Sequence, residues 1–218
     1  MKTHAKQPNN STPEKAPGSN QAPTGSILQA YKTSGNQPIA QLRAYSQTFT
    51  VQQDINDNDL HDWGTMRQKL GIPKKGSAAG AAGSNAKTSL TALGIAGTDS
   101  PMTAHMIPRR AGGMGNSTNA RPWADKFETT TWKNSIDDVF DGEFKNKKKN
   151  DTVTYAINTT DMDDTYYNSL LAKSTAATAV KNDAAHKSNI KEIPVDVSAT
   201  VGSKSLATTT DCIKDLIK

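Results

Sequence analysis

A single histidine, His105, ends a short apolar run and is followed by a basic pair and a glycine-rich turn. An asparagine, Asn119, stands fourteen residues further on, before a stretch with the apolar spacing of an amphipathic helix. A neutral imidazole can take a proton from water, and an amide oxygen can bind a cation such as Mg²⁺. Glycines let the backbone turn sharply between two such groups. The spacing therefore predicts a site for metal-assisted hydrolysis of a phosphodiester.

Further charged side chains surround this pair. Arg109, Arg110 and Arg121 carry guanidinium groups, which bind phosphate oxygens in a bidentate manner. Glu128, nine residues after Asn119, offers a carboxylate as a second metal ligand. Each of these assignments has a structural alternative. His105 would be a buried core histidine, Arg109 and Arg110 a solvated basic turn, and Glu128 part of the solvent-exposed face of a helix.

The string His-x(6)-Gly-Gly-x-Gly-x(3)-Asn begins at His105 and ends at Asn119, with glycines at 112, 113 and 115. It resembles the core of the ββα-metal (His-Me finger) nucleases. It is most similar to the DNA/RNA non-specific endonuclease-like domains of bacterial polymorphic toxins and effectors. The resemblance covers about residues 100–160, which is under a third of the chain.

This resemblance implies roles for the residues of the motif. His105 would be the general base, Asn119 a metal or structural ligand, and Mg²⁺ or another divalent cation the cofactor. The sequence departs from the family in having Ala104 where glycine is usual and in having no histidine on the following helix. Glu128 is predicted to take the place of that second ligand.

The resemblance also implies partners and a route of export. The expected partners are DNA or RNA as substrate, an immunity protein, and a component of a delivery machine such as a contractile injection system. The N-terminal region is expected to contact that delivery component. The first residues lack the apolar segment of a signal peptide. We therefore expect synthesis in the cytoplasm and, for action elsewhere, export by a specialised secretion or injection system.

Composition sets limits on these interpretations. The chain has 26 basic and 21 acidic residues, a net charge of +5 and a pI of about 9.2, which favours an anionic partner such as nucleic acid or a membrane surface. Its hydrophobic content of 34% and mean hydropathy of −0.68 predict that part of the chain is unpacked. Cys212 is the only cysteine, which excludes an intrachain disulfide. No run of apolar residues is long enough to predict a membrane span.

Composition shifts and periodicity predict an α+β protein with four regions. These are a disordered arm (1–26), a small poorly packed region (27–75), a flexible Gly/Ala/Ser linker (76–99) and a ββα-metal-like nuclease domain (100–218). The predicted strands are 27–33, 39–45, 152–158 and 193–201. The predicted helices are 63–70, 123–141, 164–182 and 209–217.

Two other functions fit the same sequence. One is a non-catalytic interaction or cargo protein of a delivery particle, with a degenerate nuclease fold. The other is a basic nucleic-acid-binding module without catalysis. Metal-dependent cleavage would separate the nuclease from both alternatives, and salt-sensitive binding without cleavage would select the second.

Overall fold

The computed structural model describes residues 42–72, 78–109, 112–117 and 119–218, without the side chains of His61 and Trp63. The predicted disordered arm and the predicted strand 27–33 lie outside these residues. The described chain combines helices with antiparallel strands, which confirms the predicted α+β class. No helix in these ranges is long and apolar enough to cross a membrane.

Six strands and seven α-helices make up the described chain, together with one π-helix. The strands are β1 (Leu42–Thr50), β2 (Pro101–His105), β3 (Ala120–Ala124), β4 (Thr152–Asp161), β5 (Pro194–Val201) and β6 (Lys204–Thr209). The α-helices are α1 (Asp57–His61), α2 (Trp63–Lys69), α3 (Ala82–Ala92), α4 (Asp138–Phe144), α5 (Asp164–Lys173), α6 (Thr178–Lys181) and α7 (Ala184–Lys191), and the π-helix (Phe127–Asp137) runs directly into α4.

A four-stranded antiparallel sheet forms one layer of the molecule. Its strand order is β1-β4-β5-β6, with Tyr45 opposite Ile157 and Ile157 opposite Ala199. Side chains alternate along β4, so that Val153, Tyr155 and Ile157 are buried on one face. The predicted strands 152–158 and 193–201 are confirmed, because this alternation is visible in the sequence.

A hairpin followed by a long helix forms the second layer. Strand β2 pairs antiparallel with β3, with Met102 opposite Trp123. The helix that follows places Phe127, Trp132 and Ile136 in the core at steps of five and four residues. A five-residue step fits the wider turn of a π-helix better than an α-helix. Trp123, predicted to begin this helix, instead lies in β3.

Aromatic contacts join the two layers into one core. Phe49 of β1 lies 5.6 Å, centroid to centroid, from both Phe140 and Phe144 of α4. Phe140 in turn lies 5.9 Å from Tyr155 of β4. Strand β1 belongs to the region predicted to be poorly packed, yet its apolar side chains lie in the same core as those of the C-terminal elements.

Helix α3 occupies 11 of the 24 residues of the predicted flexible linker. Its Leu90 is buried, and Ser89 accepts a hydrogen bond from Asn189 of α7. Small residues let α3 approach β2 closely, because a Cβ at Gly83 would lie 2.6 Å from the carbonyl carbon of Met102. The low-complexity composition therefore reflects close packing here and not a flexible tether.

The C-terminal part differs from prediction in two places. The predicted helix 164–182 ends at Lys173, because Ser174 adopts an extended backbone and donates its hydroxyl to the carbonyl oxygen of Leu93 at 2.5 Å. The predicted helix 209–217 is a series of turns after β6. Asp215 there has a φ of 62°, which a right-handed helix cannot contain.

Candidate functional site

His105 is the last residue of β2 and is half-buried opposite Ala120 of β3. The backbone directly after it is fixed on two sides. The amide of Met106 donates to the carbonyl of Asn119 at 2.8 Å, and the carbonyl of Met106 accepts the hydroxyl of Tyr155 at 2.6 Å. His105 therefore stands at the end of β2, next to a backbone group that is bonded to β4, where the loop between β2 and β3 begins.

Asn119 closes this loop with its side chain. Its Oδ1 accepts the amide hydrogen of Ile107 at 2.8 Å, and its Nδ2 donates to the carbonyls of Ile107 at 3.1 Å and Met114 at 2.9 Å. The residue is 6% exposed, and its two bonds to Ile107 satisfy backbone groups that water does not reach. In this arrangement Asn119 is a structural clamp on the chain next to His105.

The glycines of the motif allow the loop to fold against its neighbours. Gly112 has a φ of 91°, which favours glycine. A Cβ at Gly113 would overlap the carbonyl oxygen of Ile107, and one at Gly115 would overlap the carbonyl oxygen of Ala78. The glycine pattern thus has a steric cause that does not depend on any ligand.

Arg121 points away from His105. Neighbouring residues of a strand face opposite sides, and Arg121 pairs with Ala104 whereas His105 pairs with Ala120. The guanidinium is fully buried, and its Nη1 lies 3.4 Å from Oε2 of Glu192. Its Nε and Nη2 have no hydrogen-bond partner in the described structure. To bind a phosphate beside His105, Arg121 would have to face the same side of the hairpin as His105 and be accessible. It is buried on the other side.

The other two predicted phosphate ligands belong to the loop. Arg109 is exposed, and its carbonyl accepts the amide hydrogen of Gly112 at 3.1 Å in a tight turn. Arg110 lies outside the described residues. Arg109 is therefore at the surface and close to His105 in the sequence, as its predicted role as a phosphate ligand requires.

The predicted metal ligands do not form a ready cradle for Mg²⁺. Coordination by Asn119 would break the clamp described above. Glu128 is half-buried and accepts the indole N–H of Trp123 through Oε2 at 2.8 Å. Within the described ranges, no group of three His, Cys, Asp or Glu side chains is arranged as for a metal ion. As arranged, the side chains of Asn119 and Glu128 bond to protein groups, so metal binding would require those bonds to break.

Two of the four lysines in the loop after α4 (145–149) lie beside acidic residues. Lys145 lies 2.9 Å from a carboxylate oxygen of Asp57, and Lys148 lies 3.6 Å from one of Asp54. These ion pairs offset part of the loop's positive charge.

A buried charged cluster was missed by sequence reasoning. Arg43 donates from Nε to Oδ2 of Asp161 at 2.5 Å, and Glu192 lies close enough to both for their charges to interact. Burial raises the pKa of Asp161 to about 6, and the positive charge of Arg43 opposes that rise. Burial also raises the pKa of Glu192. The sequence holds a signal for this cluster. Asp161 ends a strand of alternating apolar residues, at a position whose side chain faces the core.

A serine–histidine pair between α3 and α7 was also missed. Ser89 Oγ lies 3.1 Å from Nδ1 of His186 and accepts a hydrogen bond from Asn189 at the same distance. Such a distance is typical of a nucleophile and its base. However, Ser89 is fully buried, so its hydroxyl cannot meet a substrate. The pair joins two helices.

Comparisons with models of protein families, with curated proteins and with solved structures find no match to this chain.

Proposed function

We propose that this chain is a nuclease that hydrolyses phosphodiester bonds, of the metal-dependent toxin or effector type that its motif resembles. One observation carries the proposal. His105 ends the first strand of a ββ hairpin, and a long helix follows the second strand directly. This is the order of elements that the name of the ββα-metal nucleases describes, and it arises around the same residues that carry the sequence motif.

In this proposal His105 acts as the general base. Its imidazole takes a proton from water as the water oxygen bonds to phosphorus, and the bond to the leaving oxygen breaks. Arg109, exposed in the adjoining loop, holds a phosphate oxygen, and Arg110 is proposed for the same role. Asn119 keeps the loop closed so that the imidazole stays in place. Arg121 is fully buried and does not reach a substrate in this arrangement.

A non-catalytic cargo or interaction protein is the second candidate. The observation that favours it is the side chain of Asn119, whose amide groups bond to the backbone of its own loop. A degenerate nuclease would keep such a clamp, and the residues that the structure describes form no group of three metal-binding side chains.

The test is cleavage of supercoiled plasmid and of total RNA by the purified full-length chain. We expect either substrate to be degraded in Mg²⁺ and to stay intact in EDTA. Equal cleavage in EDTA would overturn the metal-dependent class. A folded protein that cleaves neither substrate would favour the cargo protein, and salt-sensitive binding without cleavage would favour a nucleic-acid-binding module.

A further inference from the structure

A cavity of about 330 Å³ lies where β4 ends and α5 begins. Its volume is at the lower end of the range for small-ligand sites. It is separate from the loop of His105, since Asp161 stands six residues along β4 from Tyr155, or about 20 Å at the usual rise of a strand. The residues that line it are Asp161, Asp163, Thr165, Tyr166, Ser169 and Val195.

Asp161, which lines this cavity, has one acceptor oxygen without a partner among the described residues. The residue is 5% exposed, and its Oδ2 accepts from Arg43. Its Oδ1 is buried and has no hydrogen-bond partner in the described chain. Buried carboxylate oxygens are costly to leave unpaired, and native proteins rarely do so. A ligand that donates a hydrogen bond to this oxygen would remove that cost.

The rest of the lining favours a cation on an aliphatic stem. Asp163 uses Oδ1 to cap α5 through the amide of Tyr166 at 2.7 Å, and its carboxylate adds a second negative charge. The hydroxyl of Ser169 donates to the carbonyl of Tyr166 at 2.6 Å, so its oxygen is turned toward acceptance. Tyr166 is 40% exposed and Val195 is half-buried, and both line the cavity, so an aliphatic stem has apolar surface to lie against.

Other classes of ligand fit less well. An anion would meet two carboxylates. A divalent cation prefers six or more oxygen ligands, whereas the cavity has two carboxylates and largely apolar walls. A planar guanidinium is suited to bidentate contact with both oxygens of one carboxylate, but Oδ2 of Asp161 is already bonded to Arg43. A primary ammonium donates to single acceptors at several angles, and the lining of the cavity provides such acceptors.

We propose that this cavity binds a primary ammonium group on an aliphatic stem, with the ammonium donating to Oδ1 of Asp161 and to the carboxylate of Asp163. Free alkylamines and the lysine side chain of another protein share this chemistry. The stem lies against Tyr166 and Val195. The proposal is independent of the nuclease activity, and either can fail alone.

The test uses the full chain and amide chemical shifts in ¹H–¹⁵N NMR spectra. The probes are Nα-acetyl-lysine methylamide, cadaverine, and Nα-acetyl-norleucine methylamide, which keeps the stem and lacks the ammonium. Both amines should shift the amides of Ser169 and Val195, and the norleucine probe should not. Tighter binding of cadaverine would point to a free amine as the source, and tighter binding of the lysine probe to a protein side chain.

Matched variants complete the test. Asp161→Asn should weaken binding by about tenfold or more, the usual effect of one hydrogen bond to a charged group, while Asp211→Asn at an exposed site should not. Asp161→Asn can disturb the fold, so Ser169→Phe provides a second test. The phenylalanine should fill the cavity and abolish binding. The control is Asn168→Phe, at the neighbouring exposed position, which should leave binding unchanged. Equal binding of the norleucine probe, or unchanged binding in Ser169→Phe, would overturn the proposal.

Discussion

Asn119 determines how firmly the chain after His105 is held. It makes three hydrogen bonds to backbone groups of its own loop, and the two to Ile107 are buried. Replacing Asn119 by alanine leaves those groups unpaired. We expect Asn119→Ala to lower the free energy of unfolding by about 3 kcal/mol, measured by urea denaturation. The control is Asn158→Ala, an exposed asparagine of β4. Equal stability of the two variants would rule out the clamp.

Asp161 is expected to make stability depend on pH. Burial raises the pKa of its carboxyl from 3.8 to about 6, so the folded chain holds a proton that the unfolded chain releases. Its contribution to stability is therefore full below the unfolded pKa and is lost as pH rises through about 6. Glu192, whose pKa is also raised, acts in the same direction.

The pH effect can be isolated with a neutral isostere. The change in unfolding free energy between about pH 4 and pH 7 should be smaller in Asp161→Asn than in the parent chain. Asp211→Asn, at an exposed site, should leave the pH profile as it is in the parent. A profile for Asp161→Asn that matches the parent's would show that the carboxyl does not titrate in this window.

Single residues also show where sequence reasoning ends. The motif located His105 and the glycines, whose local spacing is visible in the sequence. Arg121 could not be placed, because β3 was taken for the start of a helix and the face of a residue depends on its strand register. The metal roles of Asn119 and Glu128 stay predictions, and the structure places their polar groups against protein partners.

At the scale of elements, the loop between β2 and β3 requires glycine where it touches its own backbone. A Cβ at Gly113 would overlap the carbonyl oxygen of Ile107 and lie 2.8 Å from Nδ2 of Asn119. Gly113→Ala should therefore destabilise the chain by about 2–3 kcal/mol. In contrast, Gly142 is exposed in α4 with nothing within 4 Å, so Gly142→Ala should stabilise by about 0.5–1 kcal/mol.

Thermal unfolding of the two variants checks this contrast. The expected result is a lower Tm for Gly113→Ala and a higher Tm for Gly142→Ala. A Gly113→Ala chain as stable as its parent would mean that the loop can relax, and that the glycine does not serve close packing.

The strands that alternate between core and solvent were predictable, and the strand buried along its whole length was not. Strands β4 and β5 alternate between core and solvent, which leaves a visible period of two. Strand β3 is buried along its whole length and carries a proline, so its sequence has no such period. Helix α3 was missed because its small residues serve close packing against β2. Helix α2 was found within one residue of its observed end.

At the scale of the whole molecule, the described chain shares one hydrophobic core. Phe49 of β1 packs on α4, and β1 pairs with β4 along its full length. The predicted boundary near residue 100 therefore cuts through the core. We expect a chain of residues 100–218 to lack a cooperative thermal transition, because removing β1 exposes the apolar face of β4.

Circular dichroism of two truncated chains tests this expectation. A chain that lacks only residues 1–26 should keep the Tm of the full chain, since the described core begins at β1. A chain of residues 100–218 that unfolds cooperatively at the same temperature would restore the predicted independent domain.

The most direct test of the proposed nuclease is the initial rate of nucleic-acid cleavage in Mg²⁺ by the His105→Ala chain. The control is His186→Ala, which removes the histidine bonded to Ser89 and so lies outside the proposed site. Both proteins would first be shown to unfold cooperatively. Loss of a general base costs about 100-fold or more in rate, so we predict that loss for His105→Ala and a rate close to the parent's for His186→Ala. A folded His105→Ala chain that cleaves as fast as its parent would contradict the account.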